Sequence, residues 1–182
     1  AGRPNLRYSE RIPMTYFYKI AGLAVLALLV QFQAVAQPQP KVGDAIGDWI
    51  FTCQALSASQ TACALTQTIV EKETKQPVLH LTLRKLGQDQ QLALIANVPL
   101  GVYLASGIAG KVDEGEQFNL IWQICTKEIC QAALALDDAK RAAFQAGSKL
   151  LIGFKPRPDA QPYTVAASLK GVTAGLAALD AQ

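Results

Sequence analysis

Four cysteines, Cys53, Cys63, Cys125 and Cys130, and one histidine, His80, are the residues of this 182-residue chain whose types and spacing could do chemistry. Paired cysteines can exchange electrons, hold a metal or staple a fold. Neither pair has the C-x-x-C spacing of thioredoxin-like exchange, and the intervals fit no common zinc-ligand pattern. His80 lies far in sequence from both pairs, so a mixed Cys/His site gains nothing from it. The even set is therefore expected as two disulfides, with no metal and no cofactor assigned. Cys53 ends one strand-like run and Cys63 begins the next, around the polar Ser57-Ala-Ser-Gln60. Cys125 and Cys130 bracket the four-residue loop Thr126-Lys-Glu-Ile129. Opposed positions of a hairpin reach disulfide separation without backbone movement, which favours Cys53–Cys63 and Cys125–Cys130. The crossed pairings, which need the two hairpins side by side, stay open.

Catalysis finds little else to use. His80 sits on the polar face of a leucine-alternating run, and no Gly-x-Ser-x-Gly elbow marks a nucleophile. The stretch Gly101-Val-Tyr-Leu-Ala-Ser-Gly107-Ile-Ala-Gly110-Lys111 superficially resembles a phosphate loop. It has Ala105 where that loop needs glycine, and Val112 where it needs Ser or Thr. Its glycines are expected to serve turns and close strand packing. Asp113-Glu-Gly-Glu116 lacks the twelve-residue ligand pattern of a calcium loop and reads as a solvated turn. Trp49, after Asp48, reads as a core side chain. No catalytic residue is assigned.

The elements that would position these groups alternate with period two. Trp49, Phe51 and Cys53 share one face, as do Leu79, Leu81 and Leu83, and Leu92, Leu94, Ala96 and Val98. Phe118, Leu120, Trp122 and Ile124 form the most apolar such face, followed by Leu150, Ile152 and Phe154, then Tyr163, Val165, Ala167 and Leu169. Half-buried strands produce this pattern. Turn chemistry at Gly87-Gln-Asp89, Asp113-Glu-Gly115 and Lys155-Pro-Arg-Pro-Asp159 separates the runs. Two short helices are predicted. One is capped by Asp137, runs over Ala139 to Ala146 and stops at a left-handed Gly147. The other spans about Val172 to Leu179, with Gly175 an unfavourable interior residue. The expected fold is all-β, an antiparallel sandwich or partly open barrel with one or two short helices, stapled by two disulfides.

Before this domain lies an export signal. Lys19 precedes eleven uncharged residues, Ile20 to Val30, and Gln31-Phe-Gln-Ala-Val-Ala36 offers small residues at a cleavage site after Ala36. The expected organisation is an over-called start or added extension at 1–13, a signal peptide at 14–36, an extended lead-in at 37–46 and one β-sandwich-like domain at 47–182. A spanning helix needs about twenty apolar residues, a length reached here only by including Gln31 and Gln33, so an uncleaved anchor ranks second to cleavage and the mature domain is not expected to cross a membrane. Residues 1–36 carry Arg3, Arg7, Arg11 and Lys19 against Glu10, the same net +3 as the whole chain. Thirteen basic and thirteen acidic side chains therefore balance in the remainder. A neutral domain lacks the basic footprint that nucleic acid requires.

In combination the chain resembles the invasion-associated locus B family of exported bacterial proteins. The likeness rests on Gly47-Asp48-Trp49 ahead of Cys53 and Cys63, then Val98-Pro-Leu-Gly-Val102, Gly107 and Val112-Asp113. It continues through the Cys125/Cys130 pair running into Gln131-Ala-Ala-Leu134, then Gly147, and ends with Ser168-Leu169-Lys-Gly171. The resemblance implies a periplasmic, outer-membrane-associated or secreted all-β protein, some of whose relatives are linked to entry into host cells. It supplies no catalytic residues. The leading expectation is a non-enzymatic protein that engages an envelope or host-surface protein. The alternatives are a periplasmic enzyme with a scattered site that includes His80, or a redox protein using Cys125–Cys130.

Overall fold

The chain's structure, a computed structural model, describes residues 39–58 and 60–182. The predicted extension at 1–13, the signal peptide at 14–36 and the first two lead-in residues lie outside the described residues. Ten strands follow in order: β1 (Ala45–Ile46), β2 (Trp49–Ala55), β3 (Thr61–Val70), β4 (Pro77–Leu86), β5 (Gln91–Pro99), β6 (Ile108–Val112), β7 (Gln117–Cys125), β8 (Ile129–Ala135), β9 (Lys149–Phe154) and β10 (Tyr163–Ser168). Helix α1 (Asp138–Ala146) separates β8 from β9, and α2 (Val172–Asp180) follows β10. The last two lead-in residues are β1, which turns through Gly47 and Asp48 to pair with Trp49 and Ile50.

All neighbouring strands are antiparallel, in the order β1-β2-β3-β4-β5-β8-β7-β6-β9-β10. The sheet is open rather than a closed barrel. It forms two layers because β7 serves both: Gln117 to Leu120 pair with β6, whereas Ile121 to Cys125 pair with β8. One core fills the space between, with Leu65, Leu81, Leu83 and Leu94 from the first layer and Ile108, Leu150, Ile152 and Val165 from the second. Phe144 of α1 and Val172, Leu176 and Leu179 of α2 complete it. Trp49 is fully buried, as its alternation predicted.

Helix positions agree with expectation, but two glycines work differently. Asp137 caps α1, accepting from the Lys140 N–H at 2.8 Å. Gly147 is not left-handed: its φ of −80° and ψ of 164° are extended. Glycine is needed there because a Cβ would lie 2.3 Å from Val112 Cγ1 and 2.9 Å from the Ala143 carbonyl. Gly175, unfavourable by propensity, brings α2 onto β3, since a Cβ would lie 2.4 Å from Leu65 Cδ1. Close packing overrides the local preference.

Ile124 departs from the face predicted for it. Trp122 opposes Ala132, yet Ile124 opposes Gln131, so Gln123 is an extra residue in the ladder. A bulge of this kind shifts side-chain parity by one. Ile124 consequently leaves the face of Leu120 and Trp122 and stands 60% exposed.

The open ends of the sheet are joined by a side chain. Gln67, the one buried polar residue among the described residues, donates to the carbonyls of Asp48 (2.9 Å) and Ser168 (3.1 Å). Its Oε1 accepts from the Ser168 N–H at 3.0 Å. Trp49 Nε1 donates to the same Ser168 carbonyl at 2.9 Å, and the Asp48 N–H to that of Lys170 at 3.0 Å. Gly47 (φ +64°) and Gly171 (φ +95°) allow the backbones to meet. A Cβ on Gly171 would sit 2.0 Å from the Ile46 carbonyl oxygen.

Candidate interaction face

The structure joins Cys53 to Cys63 and Cys125 to Cys130, each across a register-paired position with Cα atoms 4.0 Å apart. Cys53 and Cys63 pack against the core and Cys130 is itself buried. The two bridges sit at hairpin ends of the first layer, where they fix the registers of β2 with β3 and of β7 with β8.

Those registers set what the outer surface of the first layer displays. Its side chains are the ones that alternate with the buried leucines. One row runs Ile50, Thr66, Thr82, Ile95, Ala133 and Ile121 across β2, β3, β4, β5, β8 and β7. The next runs Thr68, His80, Asn97, Gln131 and Ile124 from β3 to β7. Neither row holds a lysine, arginine or carboxylate. The β7 end is apolar, with Ile121 68% and Ile124 60% exposed.

His80 lies within this face. Its Nδ1 is 2.8 Å from Thr68 Oγ1, and it stands across from Asn97, whose Oδ1 accepts from Gln131 Nε2 at 3.0 Å. Burial pushes the imidazole pKa below its ordinary value of 6.5, so the ring is neutral at neutral pH. Among the described residues no hydrogen bond or ion pair joins it to a carboxylate. The row thus offers fixed, neutral donors and acceptors, which suit recognition better than proton transfer. Among the described residues there is also no cluster of three or more His, Cys, Asp or Glu able to hold a metal, and no helix long and apolar enough to cross a membrane.

The remaining sequence candidates resolve into structural parts. Asp113, at φ +46°, accepts from the backbone N–H of Ser148 (2.8 Å) and Lys149 (2.9 Å), tying the β6–β7 turn to the start of β9. Glu114 pairs with Lys111 at 2.8 Å. In the phosphate-loop look-alike, Gly101 and Gly107 have positive φ, and Gly110 lies under Phe118, whose ring would be 2.2 Å from a Cβ. Two features escaped the sequence reading. Gln67 had a usable signal: it occupies the buried register between Leu65 and Ile69, where a polar residue needs partners. The outward turn of Ile124 had none, because the Gln123 bulge leaves no mark in the alternation.

Comparison with known proteins agrees with this architecture. The profile of the family described as Invasion associated locus B (IalB) protein matches residues 49–180. Two invasion protein B homologues of Brucella abortus, from strain 2308 and from biovar 1 strain 9-941, are each 28% identical over 169 residues. Each match covers 90% of this chain and 96% of the relative. The crystal structure of invasion associated protein B from Bartonella henselae shares the fold, with a TM-score of 0.68 at 21% identity. That match covers 78% of this chain and 96% of the other. The matched span runs from the Trp49 seam, through both stapled hairpins, to the end of α2, and with it the chain belongs to the invasion associated locus B family.

Proposed function

We propose that the protein is an exported, non-enzymatic interaction protein that engages an envelope or host-surface protein through the outer face of its first layer. The observation that carries the reading is the pair of uncharged rows whose β7 ends, Ile121 and Ile124, are both more than half exposed. Protein interfaces are depleted of charge at their centres, and a broad uncharged face matches that composition. Family membership, two disulfides and the names of the Brucella and Bartonella relatives support an extracytoplasmic role. The neutral Thr68–His80 and Asn97–Gln131 pairs would set orientation, and Ile121 and Ile124 would supply apolar contact.

The test is crosslinking in cells at native expression, with a photoreactive side chain at Ala133 and, as a control, at Thr164 on the second layer. One dominant protein captured at Ala133 but not at Thr164 is expected. The double variant Ile121→Lys/Ile124→Lys should abolish capture while leaving thermal stability nearly unchanged, since exposed substitutions shift stability by about ±0.5 kcal/mol. Equal capture at both positions, or capture that survives the double variant, refutes the assignment of this face.

A further inference from the structure

We infer that a polar cleft at the end of the first layer, next to the β4–β5 turn, binds an oxyanion through Arg84. The cleft holds about 750 Å³ and is lined by Arg84, Lys85, Gln60, Thr61, Gln88 and Gln90 among others, with no Asp or Glu in its lining. That volume is in the range of small-ligand sites. Arg84 follows the two rows of the outer face, flanked across the ladder by Ala64 on β3 and Ala93 on β5. Neither neighbour can accept a hydrogen bond through its side chain.

Among the described residues the guanidinium stands without an ion pair. The ion pairs among the described residues engage Lys85, Lys111, Lys140 and Arg141, not Arg84. Arg84 Nε is out of contact with solvent and has no acceptor among the described residues. Arginine carries five donors and no acceptor and keeps its charge at any physiological pH. A charged donor withdrawn from water without an acceptor is costly, and such a group in a folded protein calls for an explanation. The neighbouring Lys85 does not supply a reason, because its ammonium is already held by Asp180 at 3.1 Å. A phosphate or carboxylate group in the cleft can take two parallel hydrogen bonds from the Nη1 and Nη2 edge of the fork, and its negative charge offsets the cost of the enclosed Nε. The amides of Gln60 and Gln88 can then donate to its remaining oxygens, while Gln90 Nε2 already donates to the Gly87 carbonyl at 3.0 Å. The ligand class is therefore a phosphate- or carboxylate-bearing molecule, either free or as the headgroup of an anionic lipid.

This inference does not rest on the proposed interaction face. Ile121 and Ile124 lie on β7, three strands from Arg84 in the sheet, and their variants leave the cleft intact. The experiment is a titration of ¹⁵N-labelled protein with inorganic phosphate, following the Arg84 Nε–Hε resonance. In parallel, sedimentation is measured with vesicles of phosphatidylcholine alone and of phosphatidylcholine with phosphatidylglycerol. Saturable movement of that resonance in the ~millimolar range is expected. Arg84→Gln should weaken phosphate binding at least ~10-fold, and Arg84→Lys, which keeps the charge but loses the fork, should fall between. Gln60→Glu places a carboxylate in the cleft wall without touching the core. It should weaken binding to a similar degree while thermal stability stays level or rises, which keeps the test valid if Arg84→Gln folds poorly. Arg84-dependent sedimentation with the anionic vesicles, competed by phosphate, assigns the site to a headgroup. Phosphate binding without sedimentation assigns it to a soluble ligand. Absence of saturable movement up to ~20 mM phosphate together with absence of vesicle binding overturns the inference. So does binding that persists undiminished in both Arg84→Gln and Gln60→Glu.

Discussion

Replacing Gln67 with leucine should unfasten the two ends of the sheet without emptying the core. The side chain makes three hydrogen bonds, to the Asp48 carbonyl and to the carbonyl and N–H of Ser168. Leucine has a similar volume, so the cavity contribution is small. The Ser168 carbonyl keeps Trp49 Nε1 at 2.9 Å. The Asp48 carbonyl and the Ser168 N–H lose the Gln67 amide as partner. The Ser168 N–H is the more exposed to this loss, because the chain leading into β9 takes its neighbour instead: the Leu169 N–H donates to the Ser148 carbonyl. Each stranded buried group costs about 1–3 kcal/mol, and leucine's better transfer into the core returns part of that. The net expectation is a loss of about 2–4 kcal/mol. For a domain of this size that lowers Tm by roughly 5–15 °C. Urea unfolding of the disulfide-intact protein, read by tryptophan fluorescence, reports on Trp49 within the seam itself. Gln67→Glu is the companion variant. It retains an acceptor for the Ser168 N–H but sets a carboxylate oxygen against two carbonyls, so it should cost at least as much at neutral pH. A Gln67→Leu loss below about 0.5 kcal/mol, within the range of surface substitutions, would refute the idea that this amide holds the sheet ends together.

Gly171→Ala should be among the most damaging single-methyl additions, because the new Cβ would meet the Ile46 carbonyl at 2.0 Å on a backbone of φ +95°; a Tm within 2 °C or so of wild type would contradict that geometry. Replacing Cys125 and Cys130 with serine removes a loop of sequence separation 5 and should cost about 2 kcal/mol. The Cys53–Cys63 bridge, with separation 10, should cost nearer 3 kcal/mol when removed, both measured by thermal melts. An unchanged melting temperature in either would show that the bridge is not structural. His80 gives a pH signature: its pKa is lowered in the fold by burial, so its contribution is complete above the unfolded value near 6.5 and is lost as pH falls through the depressed folded value. His80→Gln should flatten the stability profile just below pH 6.5, and a variant that keeps the wild-type slope there would exclude this residue as its source. Asp180 does not blur that test, since its pKa is lowered, mainly by the hydrogen bond from Arg141, and it acts only in more acid solution.

What could be read from the residues followed from local rules. Leu79, Leu81 and Leu83 point inward because pleated strands alternate. A hairpin that places Cys53 against Cys63 needs only the residues between them, and Asp137 caps α1 through a bond three residues long. The rest depended on partners distant in the chain. Nothing within β5 announces β8 as its neighbour, and nothing within β6 announces β9. Gly147 looked like a helix stop because that is a common local use of glycine, whereas its reason is the side chain of Val112 from another strand. The candidate face is partly visible in the sequence, since the alternation of Leu79, Leu81 and Leu83 sets His80 on the polar side of β4. That this side joins into rows ending at Ile121 and Ile124 required the full strand order and the bulge at Gln123.

The strand order also carries a timetable. Strands β1 to β5 pair only with their sequence neighbours until Pro99 is reached, so this meander needs no later residue to begin forming. Local contacts close quickly. Strand β6 is in the opposite position, because both of its ladder partners, β7 and β9, come after it. Until β8 arrives, β5 is a bare nine-residue margin whose Leu92, Leu94, Ala96 and Val98 are destined for the core. An unpaired apolar margin is a template for joining other chains. A chain halted between Pro99 and Ile129 should therefore clump rather than linger, and refolding yield should fall with protein concentration most sharply in that interval.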